Sequence, residues 1–373
     1  MTTVPEPHFI DRDPAQILSE AIESWEDKSG VALAPAQPEM LLLKVFAYRE
    51  TLVRQAIQDA AKRLLLRWST FPVIDALGEL IDAPRLEASA AVTTLRFTLE
   101  EEHGTNVLIP EGTRARTKDG AWTFETDEDA TIEAGELSVD VKATATQAGA
   151  GANGYIAGQV ATLVDTIDPP AAVTSLTETS GGAAKEDDAR YSERLLLAPD
   201  GSSTAGAEES YRFHALSVST AVADVAVLSP TPGDIVVAVL ATDGLPSQDV
   251  LDLVEAGLSG EKKRPLTDTV TVQAATEVQW TLEARLTLYK DADSAATLAA
   301  AETAAEKYRQ ERSQKLGKDL VPSQAIKVLK VSGVYDVALD SPAGLVVIEE
   351  DEWANCTSVS VTVDGFVEET EGD

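Results

Sequence analysis

The sequence predicts a multidomain α+β protein with a helical N-terminal region, a β-rich middle domain and two small α+β sandwich domains on the C-terminal side. Apolar residues first recur at three- and four-residue steps, which is the helical period. The period becomes two after about residue 85, and both patterns mix after about residue 186. A chain of 373 residues is long enough for several domains. We place the domains at residues 1–84, 85–185, 186–277 and 278–373.

The N-terminal region is dominated by one long helical pattern, PEMLLLKVFAYRETLVRQAIQDAAKRLLLRW, which spans residues 38–68 and has no Gly or Pro after its start. Arg49 interrupts its apolar stripe, so we expect part of this face to meet a partner or a carboxylate. A short helix, VIDALGELI, follows Pro72. The stripe consists of Leu42, Val45, Phe46, Leu52, Val53, Ala56, Ile57, Ala60 and Leu64.

This stripe is our candidate partner interface. A region of about 80 residues with few aromatic side chains forms a marginal core by itself. Several apolar side chains would then stay exposed, which is typical of an interface. A self-contained helical bundle is the alternative. The predicted interface comprises Tyr48, Arg49, Leu52, Val53, Ala56, Ile57, Ala60 and Leu64.

The middle domain shows the two-residue alternation of β-strands. Strands are predicted over TTLRFTL and LSVDVKATAT, and a hairpin over IPEGTRARTKDGAWTFET. The hairpin turns at Asp119-Gly120, because both residue types accept a positive φ. Trp122, Phe124 and Thr126 are expected on one face of its second strand.

The third domain mixes helices and strands. EDDARYSERLLL, AEESYRFHALSVS and SQDVLDLVEAGLSG are predicted helices, the last capped by Ser247 and stopped by Gly260. ADVAVLS and GDIVVAVLA are predicted strands joined through Thr231-Pro232-Gly233, and DTVTVQAAT is a further strand.

The fourth domain opens with the cleanest alternation in the chain, VQWTLEARLTLYK. Trp280, Leu282, Ala284, Leu286 and Leu288 share one face of this predicted strand. An Ala-rich helix follows, then a helix capped by Ser323, the strand GVYDVAL, and two more strands within GLVVIEEDEWANCTSVSVTVDG. We predict a mobile acidic tail at the C-terminus.

The segment GAGANGYIAG, residues 149–158, matches the dinucleotide-binding pattern G-x-G-x-x-G. That motif needs a strand before it and a helix after it, because the helix N-terminus carries the pyrophosphate. A strand precedes, but YIAGQVATLVDTI does not resemble a helix. We therefore interpret Gly149, Gly151, Asn153 and Gly154 as a structural turn whose glycines and Asn153 supply left-handed backbone positions.

Composition excludes several functions. Sixty-three acidic residues against thirty basic ones give a net charge of −33, so we expect no nucleic acid partner. Three histidines without metal-ligand spacing, one cysteine and no G-x-S-x-G motif predict no catalytic residues, no metal and no cofactor. The absence of a signal peptide or a membrane-length apolar run predicts a protein made and kept in a cytoplasm, with no membrane insertion.

Several stretches, in order, resemble the baseplate J-like proteins of contractile phage tails and related injection machines. AYRETLVRQAIQDAA is similar to their long N-terminal helix, with Gln58 where the family has Asn. IPEGTRARTKDGAWTFETDEDATIEAG resembles their I-P-x-G-T strand and F-x-T hairpin, and ATATQAGAGANGYIAGQV resembles their glycine-rich segment. TSGGAAKEDDARYSERL matches their G-G-x-D-x-E-S helix start through Gly181, Gly182, Glu186 and Arg194, whereas Ala184 and Asp187 depart from it.

The resemblance covers residues 40–345 and implies a structural component of a baseplate wedge. It implies that copies pair and close a ring around the central spike and tube, and that the helical region joins a smaller wedge protein. It also implies contact with the protein that initiates the sheath, whose contraction follows rearrangement of the ring. The location implied is the virion tail or a tail-like particle. It further implies that Gly181 and Gly182 are structural turn residues.

Two other classes of function stay open at this point. One is a secreted β-rich binding or adhesion module, for which a signal peptide would be expected. The other is an enzyme acting on carbohydrate or peptide, for which no motif points to a site. The identity of neighbouring genes would separate the structural role from the adhesion role.

The charge of −33 predicts that folding is sensitive to salt. Repulsion between like charges is screened over about 10 Å at 0.1 M salt, so added salt relieves it. We expect the thermal unfolding midpoint at neutral pH to rise from low to moderate salt. A source in saline surroundings is a second explanation of the acidity. A flat or falling midpoint would contradict the predicted salt sensitivity and would count against a saline source.

Overall fold

The computed structural model describes residues 4–201, 208–259 and 268–368 and divides the chain into two compact units. The first unit contains the residues up to Arg85 together with Asp187–Leu196, and the second contains the rest of the chain. Gly260 as a helix stop and the end of the acidic tail lie outside the described residues. The fold is α+β, as the sequence predicted, and the four domain boundaries stay a prediction.

The first unit is helical. Helix α1 starts where the Asp13 carboxylate accepts a hydrogen bond from the Ala15 N–H at 2.9 Å, with Pro14 in the first turn. It ends at Gly30, whose φ of 69° is easily reached by glycine. The helices are α1 (Pro14–Ser29), α2 (Pro38–Arg63), α3 (Val73–Glu79) and α4 (Asp188–Gly201), of which Asp188–Leu196 belong to this unit.

Helix α2 confirms the long predicted helix but is shorter than the pattern suggested. It ends at Arg63 because Leu65 takes extended backbone, with φ −93° and ψ 120°. A single 3-10 turn, Leu66–Trp68, follows. The apolar pattern continues past Arg63, so the sequence alone placed the end too late.

An ion cluster joins α3 and the loop after it to the start of α4. The Arg85 guanidinium donates to Asp75 Oδ1 and Asp188 Oδ1, both at 2.6 Å, and is only 8% exposed. It also lies 4.7 Å from the ring centre of Tyr191, whose hydroxyl donates to the Ala83 carbonyl. Segments distant in sequence are thereby held together within the first unit.

The second unit begins with a six-stranded sheet whose strands alternate between buried and less buried residues. Its core is built from apolar side chains such as Leu95, Phe97 and Phe124. The spatial order is β7-β3-β4-β6-β1-β8, with β1 Ala90–Leu99, β3 Arg114–Thr117, β4 Thr123–Thr126, β6 Ser138–Ala148, β7 Val160–Leu163 and β8 Ala171–Ser175; β2 (Val107–Ile109) pairs separately with β5 (Ala130–Ile132).

The six-stranded sheet is a nearly closed barrel. Its two edge strands approach each other at Ser175, whose hydroxyl oxygen accepts hydrogen bonds from the N–H groups of Gly158 and Val160 at 3.0 and 3.3 Å. These bonds satisfy edge groups that an open sheet would leave unpaired.

The predicted hairpin is confirmed, with a different turn. Only Gly120 has a positive φ, of 74°, while Asp119 instead accepts side-chain hydrogen bonds from Thr117 and from the Ala121 N–H. In the second strand Phe124 and Thr126 are buried and Trp122 is half-buried, so they share one face as predicted.

The next part of this unit is a three-stranded sheet with two helices. β9 and β10 are antiparallel and joined at Thr231–Gly233 as predicted, and β10 and β11 are parallel across helix α6. Ser247 is the N-cap residue of α6, as predicted, although its hydroxyl makes no capping hydrogen bond. The elements are α5 (Glu208–Leu216), β9 (Val222–Thr231), β10 (Asp234–Ala241), α6 (Gln248–Leu258) and β11 (Thr269–Ala274).

The last part is a second three-stranded sheet, ordered β13-β12-β14, with two helices. The predicted inner face of β12 is confirmed, since Trp280, Leu282, Ala284, Leu286 and Leu288 are all buried. The elements are β12 (Thr276–Tyr289), α7 (Ser294–Ser313), α8 (Pro322–Leu329), β13 (Val334–Ser341) and β14 (Glu352–Val367).

Two predictions about this part are wrong. Helix α8 has Val321 at its N-cap and starts with Pro322, so Ser323 already lies inside the helix. The stretch from Gly344 to Gly365 contains one strand, β14, because Val346 makes only an isolated bridge with Leu320.

We expect Asp188→Asn to lower the stability of the first unit at pH 7. Burial by itself would raise the pKa of Asp188, but the Arg85 hydrogen bond and charge and the Phe71 N–H outweigh it and lower that pKa. The contribution is therefore present above about pH 4 and is lost as the pH falls through the lowered pKa. The side chain is partly exposed, so the loss should be about 1 kcal/mol.

Urea unfolding over a pH series measures this loss. Asp27→Asn, an exposed carboxylate on α1, is the control and should match the parent throughout. A difference between Asp188→Asn and parent that persists at pH values where Asp188 is protonated would contradict the ion-pair explanation.

Candidate functional site: the outer face of helix α2

Helix α2 buries only three of its side chains, Met40, Ala47 and Gln58. At about 100° per residue these three positions fall within one narrow arc of the helix. Gln58 is polar and the side chain of Ala47 is only a methyl group, so the inward side of α2 contributes little apolar burial.

Except for Met40, which is buried, and Leu43, which is half-buried, the large apolar side chains of α2 point the other way. By the same geometry they are centred roughly 180° from the buried arc. We call them the outer face, and every member is between 48% and 67% exposed: Leu41, Leu42, Val45, Phe46, Tyr48, Leu52, Val53, Ile57 and Leu64, the last at the C-cap.

All eight residues of the predicted interface are exposed. Arg49 lies within the outer face and makes no ion pair with any residue in the described ranges. Ala56 and Ala60 are small, which allows another helix to approach closely. The outer face can therefore bury apolar surface against a partner, with one cation at its centre.

The prediction missed the N-terminal end of this face. Leu41, Leu42, Val45 and Phe46 are as exposed as the predicted residues. The three- and four-residue periodicity already included three of them in the stripe, so the same signal could have placed them in the interface.

The glycine-rich segment lies in the second unit and forms a turn with no long helix after it. One 3-10 turn, Ala150–Ala152, follows β6, and the chain then continues to β7. Gly149 has a φ of 133° and Gly154 one of 80°, both of which favour glycine. Because no helix N-terminus follows the motif, it lacks the geometry that binds a pyrophosphate.

Asn153 does not play the predicted backbone role. Its φ is −76°, so it is not left-handed. Its side-chain amide instead donates to the Gly182 carbonyl at 2.8 Å and accepts from the Gly182 N–H at 2.9 Å. The structure thus brings the turn at Gly149–Gly154 together with the Gly181-Gly182 pair, a contact that the sequence analysis did not foresee.

Gly151 has no positive φ, so its predicted left-handed role is wrong; it and Gly182 are instead required to be glycine because neighbouring atoms approach closely. A Cβ on Gly151 would lie 2.6 Å from the Trp122 ring, and one on Gly182 would lie 2.5 Å from the Gly149 carbonyl oxygen. Gly181 has a φ of 81°.

Within the described ranges, no group of three or more His, Cys, Asp or Glu side chains is placed to hold a metal ion. Nor does any helix described here have the length and apolar character needed to cross a bilayer.

These features define a multidomain α+β protein with a nearly closed β barrel and an apolar helix face open to solvent. Four family models match it in order: the Baseplate J-like N-terminal domain at 36–91, the barrel domain at 94–182, the central domain at 203–274 and the C-terminal domain at 280–362. The chain belongs to the Baseplate J-like family.

One curated relative is "Baseplate protein J" of Escherichia phage P2, which is 35% identical over 185 residues. That alignment covers 49% of this chain and 61% of the relative's length. Among solved structures, a chain of the anti-feeding prophage baseplate, determined by cryo-electron microscopy with six-fold symmetrisation, is 13% identical with a TM-score of 0.41. The match covers 92% of this chain and 90% of that one.

Gly182→Ala should destabilise the second unit. Its Cβ would meet the Gly149 carbonyl oxygen at 2.5 Å and Asn153 Oδ1 at 2.7 Å, and backbone atoms have little freedom to move away. Such overpacking typically costs about 1–3 kcal/mol.

Gly104→Ala is the matched control, because a Cβ there meets no atom within 4 Å. Denaturant unfolding should show a lowered free energy for Gly182→Ala and a change within about 0.5 kcal/mol for Gly104→Ala. Equal effects of the two substitutions would refute the packing explanation.

Proposed function

We propose that the chain is a structural component of the baseplate wedge of a contractile tail, in a phage or a tail-like particle. Family membership across residues 36–362 supports this, as does a relative that carries the name baseplate protein J. In this proposal the protein works through interfaces between proteins and catalyses no reaction. It is made in the cytoplasm of a host bacterium and ends up in the tail.

The outer face of α2 is the single observation that best supports an assembly role. A contiguous apolar surface of this kind is rarely left open on a monomeric soluble protein. A partner that covers the outer face would remove apolar area from water, and each Å² of apolar area buried stabilises association by about 25 cal/mol. We propose that a smaller wedge protein covers it with an apolar surface of its own and a carboxylate opposite Arg49.

The further details extend from the family resemblance. Copies of the chain pair and close a ring around the central spike and tube. The ring contacts the protein that initiates the sheath, and rearrangement of the ring releases sheath contraction. Ring closure needs a heterologous or alternating set of contacts, so more than one surface of each copy must take part.

Leu52→Asp and Ile57→Asp should abolish assembly with the wedge partner. Both side chains are about half exposed, at 52% and 48%, so a carboxylate there remains hydrated in the free chain and the fold tolerates it. In the complex the carboxylate would be buried among apolar side chains, and at position 52 it would also compete with the partner for Arg49, both of which disfavour binding.

Co-purification from cells that express the neighbouring tail genes measures this. Leu345→Asp is the matched control, because Leu345 is 61% exposed and lies in another part of the chain. Recovery of the partner at parental yield with both α2 variants would refute the proposed interface, provided that circular dichroism shows all three variants folded.

A further inference from the structure

Residues 4–12, which we call the arm, run without helix or strand before α1 and are held by the inward side of α2. Gln58 is completely buried and recognises the arm's backbone. Its Nε2 donates to the Pro7 carbonyl at 2.6 Å and its Oε1 accepts from the Phe9 N–H at 2.9 Å. A single amide group thus binds the main chain on both sides of His8.

Two neighbouring side chains on α2 continue this recognition. Arg54 Nη1 donates to the Asp11 carbonyl at 3.3 Å, and Lys62 Nζ pairs with Glu6 at 3.1 Å. Arg54, Gln58 and Lys62, which we call the arm site, are spaced by four residues, or about 6 Å along a helix. Two residues of extended chain span about 6.6 Å, so the spacing of the arm site fits an extended peptide running antiparallel to α2.

The contacts of the arm allow it to detach from its own α2 without disturbing other elements. Among the described residues, its hydrogen bonds and ion pairs with other elements all go to α2. Val4 and Phe9 remain 49% and 50% exposed, so the chain's own helices leave half of each apolar side chain in water. Pro5 and Pro7 restrict the free arm, which reduces the entropy lost when it docks.

We propose that the arm exchanges between copies, so that the arm of one chain occupies the arm site of a second. The recognised groups are mostly backbone atoms, which the arm of any copy presents identically. One charge pair also matches, because the arm carries Glu6 and the arm site carries Lys62. The second copy would additionally cover Val4 and Phe9.

This inference rests on the proposed self-association of the chain. It is independent of the wedge partner, because the arm site and the outer face lie on opposite sides of α2. Exchange of arms would link copies while leaving the outer face open to a different protein.

Cross-linking of mixed single-cysteine chains tests the exchange. Full-length Glu6→Cys and Lys62→Cys proteins, each also carrying Cys356→Ala, are mixed and treated with a short bismaleimide. Neither chain alone contains both cysteines, so a linked dimer of one chain of each kind forms only if the arm of one reaches the arm site of the other. We expect this product, identified by mass spectrometry of the linked peptides.

Adding Gln58→Ala to the Lys62→Cys chain should reduce the product about tenfold, because both backbone hydrogen bonds are lost. Gln16→Ala, an exposed glutamine that bonds only Glu20, is the matched control and should leave the yield unchanged. A deletion of residues 1–10, which leaves the helices and the arm site intact, should reduce dimer formation in sedimentation velocity even if Gln58→Ala proves unstable.

No linked product from the mixture, or an equal yield with Gln58→Ala, would overturn the exchange. Dimers that sediment normally without giving the linked product would overturn it too, while leaving the proposed self-association intact. A chain that stays monomeric at every concentration would overturn both, and the wedge-partner experiment would still stand by itself.

Discussion

Helix α2 buries one side against its own chain, and that side is the less apolar one. Met40, Ala47 and Gln58 are buried, while the long aliphatic and aromatic side chains of the outer face stay in water. Burial within the chain therefore gives α2 little hydrophobic stabilisation. The first unit combines buried side chains on its other helices, such as Ile17, Ile74 and Tyr191, with polar contacts of the Arg85 cluster and the Gln58 amide.

The second unit, in contrast to α2, buries its apolar side chains within the chain. Its strands place alternate side chains inward, and its cores contain few aromatics and many Ala, Val, Leu and Ile residues. Dense packing of small side chains brings backbones close together, and this explains the glycines that approach rings and carbonyls at Gly151 and Gly182. The second unit thus folds around several apolar cores, whereas the first leaves a contiguous apolar helix face exposed.

The sequence predicted the helices and strands wherever the periodicity was long. The inner face of β12 followed from apolar spacing alone, because packing and period agree there. The existence of α2 followed from the same spacing, but its C-terminal end did not. Local sequence signals for helix caps and turns were less reliable predictors. Ser323 has the right residue type for a cap, but the helix start depends on backbone geometry that a single residue does not determine. The contact between Asn153 and Gly182 joins residues far apart in sequence, and a turn signature says nothing about what the turn packs against.

The outer face was predicted because periodicity defines which residues share a side, but its exposure depends on what the remaining chain covers. The arm had no periodic signal, and Gln58 was notable only as a departure from the family's Asn.

The most direct test of the central claim is hydroxyl-radical footprinting of the outer face in the free chain and in the assembled particle. Phe46 and Tyr48 are both 64% exposed in the chain, so both should be oxidised rapidly when it is free. If a partner covers the outer face, oxidation of these two side chains should fall severalfold in the particle, while a buried residue such as Phe124 stays protected in both states. Equal oxidation of Phe46 and Tyr48 in the free chain and in the particle would show that α2 meets no partner, and would contradict the account.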